Sequence, residues 1–224
     1  MLLLAIDTSG AGGSIALAQC GTKGDCQVLE VVPIEGGTFS AQLVPQVATL
    51  LAKHGFTKQD IDGFAAASGP GSFTGLRVGL AAVKALAEVL HKPIATVSVL
   101  EAIAVSGATD GTVTAVLDAG RNEVFVGEYQ VGKSRATLHR EQVLTRTEWL
   151  QSRSGSTVVT PDQLIVDEAA ASGLQVRKIE RPRADLIAKL GWTKILAGQT
   201  VAAEDLDANY IRRSDAEIFF KPGI

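Results

Sequence analysis

"SGPGSFTGLRVGLAAVKALAEVL", residues 68–90, decides how the rest of the chain is read. Four glycines and a proline crowd its first half, and apolar residues at helical spacing fill its second. Gly69 to Gly71 read as a tight strand-to-helix turn with Ser72 as N-cap, and the helix runs to about Leu90. Gly69, Gly71 and Gly75 give G-x-G-x-x-x-G, one residue off the dinucleotide fingerprint, and no lysine follows where a P-loop requires one. Two uses of the turn stay open. It either turns the chain and nothing more, or holds an anion at the helix N-terminus, where free N–H groups and the helix dipole favour negative charge.

Inside this helix Gly75 and Gly79 stand four apart, with Ala82 on the next turn. A glycine costs about 1 kcal/mol against alanine in a helix interior. Close approach of another backbone is the compensation expected, either from the chain's own sheet or from a helix of another subunit. Phe73, Leu76, Leu80, Val83, Ala87 and Leu90 supply a separate apolar stripe for the core.

Upstream, "LLLAID", "GSIALAQC" and "CQVLEVVPI" are strand-like runs separated by turn-rich clusters, which makes residues 1–34 a β-meander. Residues 40–54 set Leu43, Val47, Leu50 and Leu51 on one helical stripe, with Ser40 as N-cap and Gly55 as stop. "IDGFAAAS" is a short buried strand before the glycine turn, and "PIATVSV" is another after the helix. The order βββαβαβ predicts an α/β layer architecture with a mixed sheet. From residue 112 a second round begins with "TVTAVLDAG", "NEVFVGEYQV" and "ATLHREQVL", a helix capped by Thr145, strands at "STVVT" and "LQVRKIE", and a last helix ending at Gly198. Two related halves are expected, the second thin in helix.

The composition narrows the function. A 224-residue chain with 46% hydrophobic residues can bury a proper core, and its net charge of -3 disfavours tight nucleic-acid binding by the chain alone. Cys20 and Cys26, six apart, match neither a metal-binding CxxC nor a secreted disulfide framework, so a reduced, cytoplasmic home is expected. The apolar run 2–6 is too short for a signal segment or a membrane span. His54, His91 and His139 form no HExxH, and no G-x-S-x-G is present. Arg177, Lys178, Arg181 and Arg183, interrupted by Glu180, read as a solvated face.

Two aspartate turns recur at matching places. Asp7-Thr8-Ser9 and Asp118-Ala119-Gly120 each follow a buried strand. In actin-like proteins and sugar kinases such turns hold Mg²⁺ and nucleotide phosphates; ordinary Asp-led turns have the same sequence. The late Gly-Gly turn that closes over adenosine in that class is missing, since Gly-Gly pairs occur only at 12–13 and 36–37.

Taken together, "AIDTS" (5–9), "SGPGSFTGLRVGLAAVKALA" (68–87) and "DAGRNEVFVGEY" (118–129) resemble the TsaB (YeaZ) family of tRNA threonylcarbamoyladenosine biosynthesis, related to the TsaD/glycoprotease family. The match is close over residues 1–130. Beyond that it rests mainly on "ANYIRR" (208–213), and Phe39-Ser40 stands where many relatives have His-Ser. The resemblance implies an actin-like ASKHA (ribonuclease H-like) α/β fold with subdomains at 1–108, carrying the dimerisation helices, and 109–224, the second reduced. It implies a non-catalytic activator of TsaD in forming the threonylcarbamoyl group on N6 of adenosine 37 of tRNAs reading ANN codons. TsaD's metal-binding H-x-x-x-H falls on Val99 and Ile103, which cannot ligate a metal.

The expected partners are TsaD as a heterodimer, TsaE, a second copy when alone, and tRNA only through the complex. Leu43, Val47, Leu50, Gly75, Gly79 and Ala82 are expected at the partner interface, and Asp7, Thr8, Ser9, Asp118 and Gly120 at a vestigial nucleotide or phosphate site. No catalytic residue, metal or resident cofactor is expected, apart from weak ATP, ADP or Mg²⁺ binding at a shared interface. The rival expectation is a stand-alone ATPase, kinase-like or glycoprotease-type enzyme.

Overall fold

The computed structural model describes residues 1–107, 110–133, 135–152, 155–209 and 211. Three antiparallel strands open the chain, β1 (Leu2–Asp7), β2 (Gly13–Cys20) and β3 (Cys26–Ile34), followed by α1 (Phe39–Lys53), β4 (Ile61–Gly69), α2 (Phe73–Leu90), β5 (Ile94–Ser98) and α3 (Val99–Ser106). The pattern then repeats: β6 (Gly111–Gly120), β7 (Glu123–Gly132), β8 (Arg135–Thr145), α4 (Arg146–Gln151), β9 (Thr157–Thr160), α5 (Gln163–Ala171), β10 (Val176–Lys178) and α6 (Ala184–Leu196). The first sheet has the order β3-β2-β1-β4-β5, and the second, read from its other edge, β8-β7-β6-β9-β10. In each sheet the second strand of the half runs antiparallel and the fourth parallel to the first. The expected duplication is therefore present strand for strand. The second half is also as rich in helices as the first, although shorter: α5 and α3 were not anticipated.

Two compact units emerge among the described residues, 1–102 with 181–208, and 103–180 with Asn209. This differs from a division at 108/109, because α6 packs on the first sheet rather than the second. Strand alternation explains how the first sheet accepts it. Leu2, Leu4, Ile6, Ile15 and Leu17 point to one face and build a core with Leu43, Val47, Leu50 of α1 and Leu80, Val83 of α2. Ala65 and Ala95 point to the other, where Gly191 of α6 comes so close that a methyl there would overlap the Ala65 side chain. Both faces are covered, which is why β1 is buried from end to end. The second unit has its own core of Val116, Val124, Val126, Trp149, Val158 and Ile165.

Local signals fix the helix ends. Ser72 caps α2 by accepting from the Gly75 N–H at 3.3 Å, as anticipated. Thr145 caps α4 in a reciprocal capping box with Glu148. Gly55 stops α1 in a Schellman motif, its N–H donating to the Ala52 carbonyl and that of Phe56 to Leu51. The start of α1 differs: its N-cap is Thr38 rather than Ser40, and it makes no capping bond.

Cys20 and Cys26 lie opposite each other in the β2–β3 ladder and are joined as a disulfide, with Cα atoms 4.0 Å apart. The spacing of six had suggested no framework. Antiparallel pairing around the turn is what makes partners of them.

Candidate functional site

The two aspartate turns share a local geometry. Asp7 Oδ1 accepts from the Ser9 N–H at 2.8 Å, and Asp118 Oδ1 from the Gly120 N–H at 2.9 Å. Each carboxylate thus closes its own turn two residues on. Their surroundings differ. Asp7, Thr8 and Ser9 are all buried, whereas the Asp118 side chain is 43% exposed.

The first turn is locked against α2. Thr8 Oγ1 donates to the Gly75 carbonyl at 2.7 Å, and the Ser72 N–H donates to the Ser9 carbonyl at 2.7 Å. A side chain at Gly71 would collide with the Ser9 carbonyl, at Gly75 with the Thr8 carbonyl, and at Gly79 with the Thr8 hydroxyl. The glycines of the opening stretch therefore clear a bed for residues 8–9 of the chain itself. Arg181 adds a second tie through Nη2 to Ser9 Oγ at 3.3 Å.

The residues expected at a partner interface lie largely against the chain's own core and turn. Gly75 and Gly79 are buried against the Thr8 turn. Leu43, Val47 and Leu50 are buried in the first core, and Ala82 packs partly against it. Five of the six are buried in this chain and Ala82 is half-buried, because the stripe predicted for a partner is the stripe that meets the sheet. Phe73, expected in the core, is instead 42% exposed, with the Arg77 guanidinium 3.8 Å above its ring. The surfaces that α1 and α2 leave open are others. On α1 they include Ala41, Val44, Pro45, Ala48 and Ala52; on α2, Phe73, Ala81, Ala85 and Val89.

The second turn is built around Arg146, which the sequence reading did not single out. Its Nη2 donates to Asp118 Oδ1 at 2.8 Å and its Nη1 to Glu168 of α5, and the side chain is only 13% exposed. The Asp118 N–H also donates to Asp162 Oδ2 at 2.8 Å. One signal for this cluster was available: Thr145-x-x-Glu148 marks a helix start, which fixes Arg146 at its first turn beside the β6–β7 turn.

Asp118, the more exposed of the two carboxylates, has its charge met by Arg146 and its Oδ1 engaged by Gly120, which makes it a poor ligand for Mg²⁺ and its waters. Among the described residues no group of three His, Cys, Asp or Glu is arranged to hold a metal ion. Val99 and Ile103 fall one turn apart on α3, both buried and apolar. The four basic residues of 177–183 do not act as one patch. Arg177 donates to the Gly107 carbonyl and Lys178 to Gln163, whereas Arg181 reaches Ser9 and Arg183 pairs with Asp185. Of "ANYIRR", Tyr210, Arg212 and Arg213 lie outside the described residues. Among the described residues, no helix is long and apolar enough to cross a membrane.

A duplicated βββαβαβα unit, with a mixed five-stranded sheet of order 3-2-1-4-5 and an aspartate turn after the first strand of each half, defines the actin-like, ribonuclease H-like ASKHA class of α/β proteins. The profile of the family described as "TsaD: tRNA N6-adenosine threonylcarbamoyltransferase" matches residues 31–209. "tRNA threonylcarbamoyladenosine biosynthesis protein TsaB" of Bacillus subtilis is 30% identical over 97% of this chain and 96% of its own length, and that of Escherichia coli is 33% identical over 96% of each. The solved structure of YeaZ from Pseudomonas aeruginosa superposes with a TM-score of 0.77 at 25% identity, covering 93% of this chain and 99% of that one. The chain belongs to the TsaB (YeaZ) family, within the wider kinship of TsaD.

Proposed function

We propose that this chain is a non-catalytic activator of TsaD, cytoplasmic and heterodimeric with it, in the transfer of threonylcarbamoyl to N6 of adenosine 37 of tRNAs reading ANN codons. A role in tRNA threonylcarbamoyladenosine biosynthesis comes with membership of the TsaB family. The docking element of this proposal is the outer face of α1 and α2, with a second copy occupying it when TsaD is absent; TsaE and tRNA join through the complex.

One observation carries the reading: α1 has no charged side chain from Phe39 to Ala52, yet Val44 stands 57% exposed on it, and Val89 of the neighbouring α2 is 69% exposed. A surface helix normally carries charge on its outward face, and contiguous apolar surface marks a contact site. The site chemistry supports a non-catalytic role, since Arg146 meets the Asp118 charge and Val99 and Ile103 offer no metal ligand.

Val44→Glu combined with Val89→Glu should leave the circular dichroism and melting of the chain intact while weakening co-elution with TsaD more than tenfold and lowering threonylcarbamoyladenosine yield in a reconstituted assay. Unchanged affinity for TsaD would refute the docking face. Micromolar Mg-ATP binding by the isolated chain, lost on Asp7→Ala, would favour a stand-alone enzyme instead.

A further inference from the structure

We propose that Cys20 and Cys26 form a reversible dithiol–disulfide site that clamps the tip of the β2–β3 hairpin and, through it, the indole of Trp192 on α6. The two residues are direct partners in the ladder and only five residues separate them, so no folding step beyond the hairpin turn is needed to bring them together. Every reduction of the bond therefore leaves two thiols at the ends of one short hairpin turn, six positions apart along the chain. Re-formation is intramolecular and local.

The tip depends on this bond more than the rest of the hairpin does. The ladder shifts register between Leu17 and Ala18, and beyond the shift only Ala18–Val28, Gln19–Gln27 and Cys20–Cys26 remain paired. A bulge of this kind interrupts pairing, so the distal rungs are separated from the long proximal ladder. Past them the turn is closed by the Gly21 N–H to the Asp25 carbonyl at 2.8 Å and the Gly24 N–H to Gly21 at 3.2 Å. The Gly21 carbonyl also accepts from Trp192 Nε1 at 3.0 Å. Trp192 is buried, and an opened tip removes the acceptor of its N–H. The redox state at the hairpin end is thus transmitted to the helix covering the first sheet.

A small reagent can reach the bond. Cys26 is half-buried rather than buried, and Cys20, 4% exposed, is among the residues lining a neighbouring cavity of about 580 Å³ with Gln19, Gly21, Asp25, Gln27 and Asp62. The reaction is thiol–disulfide exchange with a small dithiol. One thiolate of the reagent attacks a Sγ, the other Sγ leaves as a thiolate, and the second reagent thiol closes its own disulfide. Two electrons and two protons pass to the protein, and oxidised glutathione reverses the step by accepting them as two molecules of glutathione.

The test compares the full chain after oxidised glutathione and after dithiothreitol. Alkylation followed by mass measurement should count no free thiol in the first state and two in the second, and the change should reverse through a second cycle. In the reduced state, amide exchange over residues 18–28 should quicken on the order of tenfold while β1 and β4 keep their protection. In a Trp149→Phe background, where Trp192 is the remaining tryptophan, its emission should shift on reduction. The Cys20→Ser/Cys26→Ser variant should exchange like the reduced chain and ignore dithiothreitol. Thiols that stay free in oxidised glutathione, or exchange over 18–28 and Trp192 emission that are the same in both states, would overturn the proposal.

Discussion

A methyl group at position 75 would have to share space with the carbonyl oxygen of Thr8. That oxygen belongs to a buried backbone turn held on both sides, by Thr8 Oγ1 to the Gly75 carbonyl and by the Ser72 N–H to Ser9. Gly75→Ala should therefore destabilise the chain by about 1–3 kcal/mol, the usual cost of overpacking, rather than gain the increment alanine brings to an open helix. A lowered urea midpoint at unchanged slope would report it; a raised midpoint would mean the turn yields. Gly79→Arg belongs to the same class, because its side chain would meet Thr8 and Ile6 before it met any partner. At this scale the sequence announced that something comes close to α2. It could not announce what, since a glycine ridge looks the same whether its neighbour is the chain's own turn or another subunit. The aspartate turns were legible as turns for a plainer reason: Asp followed by small residues closes the same bond at 7–9 and 118–120. The partner that sets the second one apart, Arg146, lies 28 residues downstream, where the Thr145 capping box marks its place on a helix but not its pairing with Asp118.

Among the elements, α4 shows how far a local signal reaches. Thr145 Oγ1 accepts from the Glu148 N–H, and the Glu148 carboxylate accepts from both the Thr145 hydroxyl and its N–H. These bonds, the hydroxyl one first, hold the Glu148 carboxyl below the usual carboxylate range. Because the folded-state value is depressed, the stabilisation is present above the ordinary carboxylate range and is lost as pH falls through the folded value. Thr145→Ala should cost about 1 kcal/mol at neutral pH, and the difference from the parent should shrink on acidification to about pH 3, below the ordinary Glu value. Denaturation of both proteins at the two pH values would check it, and a difference that grows in acid would refute the linkage. Helices with such marks were legible: α1 by Gly55, α2 by Ser72, α4 by Thr145, α6 by Gly198. The two that were missed lack them. In α3 eight residues follow β5 directly, and its run, apolar apart from Glu101 and the closing Ser106, reads as a continuation of the strand. In α5 the Asp162 N-cap makes no capping bond from its side chain, which accepts from Asp118 instead.

For the molecule as a whole, the duplication decides where the chain can be divided. Each half ends in a helix, and the one ending the second half covers the first sheet: α6 lies on β1, β2, β4 and β5. Periodicity within α6 predicts that it is buried but not under which sheet, which is why a division at 108/109 follows naturally from sequence and fails in space. The consequence is testable. A fragment of residues 1–108 keeps five strands, α1, α2 and α3 but leaves bare the sheet face of Ala65 and Ala95, and lacks the buried Ile187, Leu190 and Trp192. Large apolar side chains contribute about 1.5–3 kcal/mol each on burial, so losing three of them approaches the whole stability of a small domain. The fragment alone should bind a hydrophobic dye and lack a cooperative thermal transition, whereas the same fragment joined through a flexible linker to residues 181–208 should recover one. A cooperative transition in the 1–108 fragment without α6 would show that the first sheet needs no cover on that face.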